Sequence, residues 1–127
     1  MAVKYKVVSK KNPFKPDDDP KYYAAVVSRR TIKVRELAEE IARRSTLSPI
    51  DVVAMIEAML QVIPEKLSDG YNITLGEFGT YSMSLKSRAA DLPEKFNSTN
   101  IYEKRMVFRT GNFVKNKLAN TGLEKVK

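Results

Sequence analysis

The 127 residues include no cysteine and no histidine. Without a thiol there is no thiolate nucleophile and no disulfide, and nothing demands an oxidising compartment. Without imidazole the most common general base is gone, and with both residue types absent nearly every zinc site is excluded. Long apolar runs are missing too. The longest are a few residues, far below the ~20 that span a bilayer, so no membrane protein is expected. The opening residues MAVKYKVVSKK lack the apolar stretch of a secretory signal, so a cytoplasmic location is expected. The length suits one domain, and a 43% hydrophobic, 30% charged chain should fold around a modest core.

What is present is positive charge, 23 Lys and Arg against 15 Asp and Glu, or +8. Residues 1–35 carry +7, residues 36–80 carry −5 and residues 81–127 carry +6. Two basic ends flanking an acidic middle suit a polyanion held by the ends, although a solvated lysine-rich surface also yields this pattern.

Residues 3–9 alternate loosely, and Tyr22 to Arg29 is rich in β-formers. Between them Pro13, Pro16, Pro20 and the run Asp17-Asp18-Asp19 mark a loop, so residues 1–30 read as a basic β-hairpin extension. The Asp triplet lacks the glycine and spaced ligands of a calcium loop and reads as a solvated turn. Thr31 is placed to cap a helix from about Ile32 to Arg44, with Val34, Leu37, Ala38, Ile41 and Ala42 on one face. Early glutamates and the late Arg43-Arg44 suit its dipole.

Ser48-Pro49 is a strong helix start. The helix it opens, to about Leu67, is apolar nearly all round, with Glu57, Gln61 and Glu65 as its one polar stripe. So narrow a wet face needs more cover than this short chain supplies, which points to a homodimer built on this helix. Ser68-Asp69-Gly70 then turns the chain. Tyr71 to Leu75 and Thr80 to Leu85 read as strands around the turn Gly76-Glu77-Phe78-Gly79, with its glycines as backbone necessities and Phe78 as core. Residues 86–100 lose the apolar pattern and read as exposed; Ile101 to Arg109 resumes β character. A helix from about Gly111 to Ala119 follows, capped by Thr110, and 120–127 read as a frayed tail.

The ordered elements and the motifs Glu36-Leu37-Ala38, Leu47-Ser48, Leu75-Gly76-Glu77-Phe78-Gly79-Thr80-Tyr81 and Phe108 with the Phe113–Leu118 helix resemble the bacterial histone-like HU and integration host factor family. The basic N-terminal extension is similar to the HU-related DNA-binding proteins of Bacteroides-type bacteria. The resemblance covers roughly Thr31 to Leu118 and makes 31–119 the expected DNA-binding domain.

It implies an α+β fold as an intertwined dimer, with a helical base, a β-saddle and two extended β-arms (about 82–106 here) around the minor groove of double-stranded DNA. Arm legs of ten or so residues would span roughly 33 Å. The implied function is a nucleoid-associated, histone-like protein that compacts or bends duplex DNA with little sequence preference, since minor-groove and phosphate contacts carry little sequence information.

The implied DNA-binding residues are Lys86, Arg88, Lys95, Lys104 and Arg105 on the arm, Arg109 at its base, Arg29, Arg30 and Lys33 near the extension, and Lys115 and Lys117 near the last helix. The remaining N-terminal lysines either flank the DNA or guard a strand edge. Relatives carry an arm-tip proline that wedges between base pairs; the candidates here are Pro93, between acids in Asp91-Leu92-Pro93-Glu94, and Leu92 or Phe96.

No catalytic residue, metal, cofactor or small-molecule substrate is expected. Glu57 and Glu65, two turns apart on a wet stripe, make no catalytic pair, and the methionines fill apolar gaps. The Gly-Glu-Phe-Gly turn lies between strands, unlike the helix-joining loop of KH modules. The rival readings are a module docking on an acidic protein or anionic lipid, an RNA-binding protein, and, within the family, a heterodimer with a paralogue.

Overall fold

The computed structural model describes residues 2–126; Met1 and Lys127, the ends of the two terminal segments, lie outside the described residues. The chain is α+β and divides into two compact units, Met1–Ile32 with Lys117–Lys127, and Lys33–Asn116.

In the first unit, strands β1 (Ala2–Lys10) and β2 (Lys21–Val27) form an antiparallel pair in unbroken register from Lys4–Val27 to Lys10–Lys21. The proline-rich link is a turn-containing loop, as its composition demands. The expected frayed tail is instead partly a strand. β6 (Gly122–Lys125) pairs in parallel with Ala2–Tyr5, giving the order β2-β1-β6. The exposed backbone edge of β1 supplies the hydrogen-bond partners that a tetrapeptide cannot find locally.

The second unit begins with α1 (Val34–Arg43), two residues later than the sequence suggests. Thr31 does not cap it. Lys33 holds the N-cap position with extended backbone and no side-chain cap. α2 (Pro49–Ser68) starts where expected, with a capping box in which the Ser48 hydroxyl accepts from the Asp51 N–H and the Asp51 carboxylate accepts from the Ser48 N–H, both at 3.2 Å. Pro64 is accommodated inside the helix.

β3 (Ile73–Thr74), β4 (Gly79–Ser87) and β5 (Ile101–Thr110) form an antiparallel sheet in that order, and α3 (Asn112–Ala119) follows. Gly79 packs where a Cβ would come within 2.6 Å of the Phe108 ring. Phe108 lies between Tyr81 (centroids 4.8 Å apart) and Phe78 (5.5 Å). Phe78, expected in the core, joins this cluster but stays half exposed.

Among the described residues only Ala38, Val52 and Leu67 are buried apolar side chains. α2, the most apolar of the helices, leaves Ile50 69%, Met55 54% and Leu60 67% exposed. An apolar surface of this extent on a small chain calls for cover.

Candidate nucleic-acid interface

β4 and β5 run on beyond β3 as a long two-stranded ribbon, the segment expected as the arm, and their register decides which cations share a face. Alternation puts Tyr81, Met83 and Leu85 on one face, opposite Phe108, Met106 and Lys104. The other face carries Thr80, Ser82, Ser84 and Lys86, opposite Arg109, Val107, Arg105 and Glu103. One side is therefore apolar, continuous with the aromatic cluster. The other is a track of small hydroxyl residues over which Arg109, Arg105 and Lys86 rise.

The candidate arm cations do not all share a face. Lys104 and Arg105, adjacent in sequence, point to opposite sides, and Lys104 keeps company with Leu85 and Met106. Arg105 and Lys86 meet a carboxylate that the sequence reading passed over: Glu103 lies 3.6 Å from the Lys86 ammonium and 3.8 Å from Arg105 Nε. Alternation alone could have found it, because Glu103 stands two residues from Arg105 on the same face.

Beyond Lys86 the register slips, leaving Tyr102 as an extra residue on β5. The Arg88 guanidinium sits 5.7 Å from the Tyr102 ring centroid, and the Arg88 N–H donates to the Asn100 carbonyl at 2.8 Å. Residues 86–100 are thus partly an extension of the arm and partly a tip built from two short 3-10 turns, Pro93–Lys95 and Ser98–Asn100. Pro93, Lys95 and Leu92 are exposed at this tip. Phe96 is exposed as well, at 40%.

The other candidates lie elsewhere. Arg29 and Arg30 follow β2 in the first unit, while Lys33 opens α1 in the second. Lys115 and Lys117 are exposed on α3, but two residues apart they cannot share a helix face. Among the described residues no group of acidic side chains could hold a metal ion, and no helix is long and apolar enough to cross a membrane.

Residues 1–125 match the family described as an HU domain fused to wHTH, Ig, or glycine-rich motif. The chain belongs to this HU-HIG family. The alpha subunit of integration host factor from Actinobacillus succinogenes is 31% identical over 83 residues, 64% of this chain and 85% of that protein. A Bacteroides vulgatus crystal structure, provisionally described as a DNA-binding protein, superposes with a TM-score of 0.68 at 13% identity. It covers 98% of the HU-HIG chain, which spans only 48% of that larger protein. HU from Anabaena, crystallised with DNA, superposes with a TM-score of 0.55 at 23% identity, over 70% of this chain and 99% of its own. Both structural likenesses concern the fold.

Proposed function

We propose that this HU-HIG chain is a non-enzymatic architectural protein of the bacterial nucleoid. It binds double-stranded DNA as a dimer, with two β4–β5 arms reaching into the minor groove and little preference for sequence. The observation that carries this reading is the one-sided cationic track of Arg109, Arg105 and Lys86 on a strand pair whose other face is apolar. Small Thr and Ser residues between the cations let a phosphate backbone come close.

Dimerisation is inferred from the bare apolar surface of α2. A second chain supplies the cover that this fold lacks. Arg29, Arg30, Lys33, Lys95, Lys115 and Lys117 are proposed as peripheral phosphate contacts, with residues 31–119 as the DNA-binding domain. Pro93 and Leu92, exposed at the tip, are the proposed wedges that bend the duplex by partial unstacking. Asp91 and Glu94 beside them oppose phosphate, so bending depends on the apolar contact alone.

Neutralising roughly six phosphates through the two arms would by itself give a log–log slope of affinity on salt of about −5. The deciding experiment is a gel shift with linear, nicked and single-stranded probes at two salt concentrations. A variant charge-reversed at Lys86, Arg88, Lys104 and Arg105 serves as control. Duplex binding that weakens with salt and is lost in the variant is the expected result. Indifference to duplex, or equal binding by the variant, overturns the proposal. Preference for the single strand would favour RNA-type recognition, which the scarcity of aromatics beside the arm cations speaks against.

A further inference from the structure

The two units carry very different charge. The first, Met1–Ile32 with Lys117–Lys127, holds 11 Lys and Arg against 4 acids, or +7. The second, Lys33–Asn116, which contains the arm, holds 12 against 11, or +1. Almost all of the positive balance belongs to the small N-terminal sheet and its flanking segments.

Within that sheet the register sorts the charge further. Even-numbered β1 residues pair with odd-numbered β2 residues, so Lys4, Lys6, Lys10 and Lys21 fall on one face. Val3, Tyr5, Ala24, Val26 and Leu123 occupy the other. Lys10 and Lys21 stand directly opposite each other across the two strands. Like charges in that position destabilise a sheet, yet among the described residues none of the four lysines is ion-paired. On α1 and the arm, by contrast, Arg35, Arg43, Arg44, Lys86 and Arg105 each meet a glutamate. In register Glu124 stands opposite Lys4, and along the chain the loop run Asp17–Asp19 lies between Lys10 and Lys21. Lys10 also lies 5.8 Å from the Tyr23 ring centroid on the same face.

We propose that this lysine face is a second docking surface for the phosphate backbone of duplex DNA, separate from the arm track. It rests on the DNA-binding reading above and extends it to four sheet lysines for which that reading has no part. From Lys4 to Lys10 the row runs about 20 Å along β1, the axial rise of roughly six base pairs of duplex at ~3.4 Å each. An anion seated between Lys10 and Lys21 turns an unfavourable pair into a favourable one. Lysine is depleted at protein–protein interfaces, and the sheet's large apolar residues lie mostly on the opposite face, so neither an acidic protein nor a lipid surface fits as well.

The test is fluorescence anisotropy of the full chain on a mixed-sequence duplex across a salt series. Three variants are compared: Lys4→Gln/Lys6→Gln/Lys10→Gln/Lys21→Gln, the same four positions changed to Arg, and the arm variant Lys86→Gln/Arg105→Gln/Arg109→Gln. The four-Gln chain should bind at least tenfold more weakly at low salt, with a slope shallower by about 3.6 for each sheet engaged; the four-Arg chain should restore both. A slope and affinity unchanged by the Gln set overturn the proposal. If the arm variant alone loses affinity, only the sheet site falls. If the unaltered chain ignores duplex, both readings fall. Should the four-Gln chain fail to fold, Lys21→Glu decides instead: by pairing with Lys10 it should melt a few degrees higher while binding DNA at least threefold more weakly, and unchanged affinity refutes the site.

Discussion

The backbone N–H of Gly111 donates to the carbonyl of Phe78 at 2.9 Å, which locks the turn after β3 against the start of α3. The approach leaves no space for a side chain, since a Cβ on Gly111 would sit 2.1 Å from the Glu77 carbonyl oxygen. Gly111→Ala should therefore destabilise the fold by about 2 kcal/mol, the usual scale of overpacking, measured by urea unfolding. Gly122→Ala is the control. Its Cβ would meet Ala2 at ordinary contact distance, 3.7 Å from the Cβ and 3.9 Å from the Cα, and a change within ~0.5 kcal/mol is expected.

The split of the arm into two faces separates neighbours in sequence. Arg105→Gln and Arg109→Gln should each weaken duplex binding severalfold and make its salt slope shallower by about 1.8, the loss of one phosphate contact on each of the two arms. Lys104→Gln, on the face shared with Leu85 and Met106, should leave the slope unchanged. Equal effects at positions 104 and 105 would show that the arm does not present a single face to DNA.

Glu103 competes with phosphate for Lys86 and Arg105. Both pairs are about half exposed, so each is worth no more than ~1 kcal/mol. Glu103→Gln should free both cations and tighten duplex binding about twofold to fivefold at low salt, with the gain fading as salt screens it. The same titrations measure it, and weaker binding would mean that Glu103 holds the arm cations in place for DNA.

Much of this could be read along the chain where local chemistry decides. Ser48-Pro49 announces α2 because a capping hydroxyl and a fixed proline φ act within one turn. The Gly76–Gly79 turn is legible because its glycines permit the close packing on Phe108 and sharp reversal that other residues resist. The start of α1 was not legible: Thr31 is a good cap by type, but the backbone stays extended through Lys33. β6 was hidden for another reason. Its partner, Ala2–Tyr5, lies at the other end of the chain, and no local pattern encodes a parallel pairing across that separation. The division of Lys104 from Arg105 needs no structure beyond the strand itself, since alternate residues face opposite ways; Tyr102, the extra residue beside the tip, does need it, because a register slip leaves no mark in composition.

The exposed apolar surface of α2 is the point on which the proposed mode of binding turns, for only paired bases bring two arms to one duplex. Leu60, 67% exposed in the single chain, would tolerate a charge in a monomer, whereas Leu60→Glu should disrupt a dimer that covers it. The most direct measurement is the mass of the unaltered protein by sedimentation equilibrium at micromolar concentration. Twice the 14.4 kDa of the chain is the expected result. A mass of 14.4 kDa with native circular dichroism would contradict it.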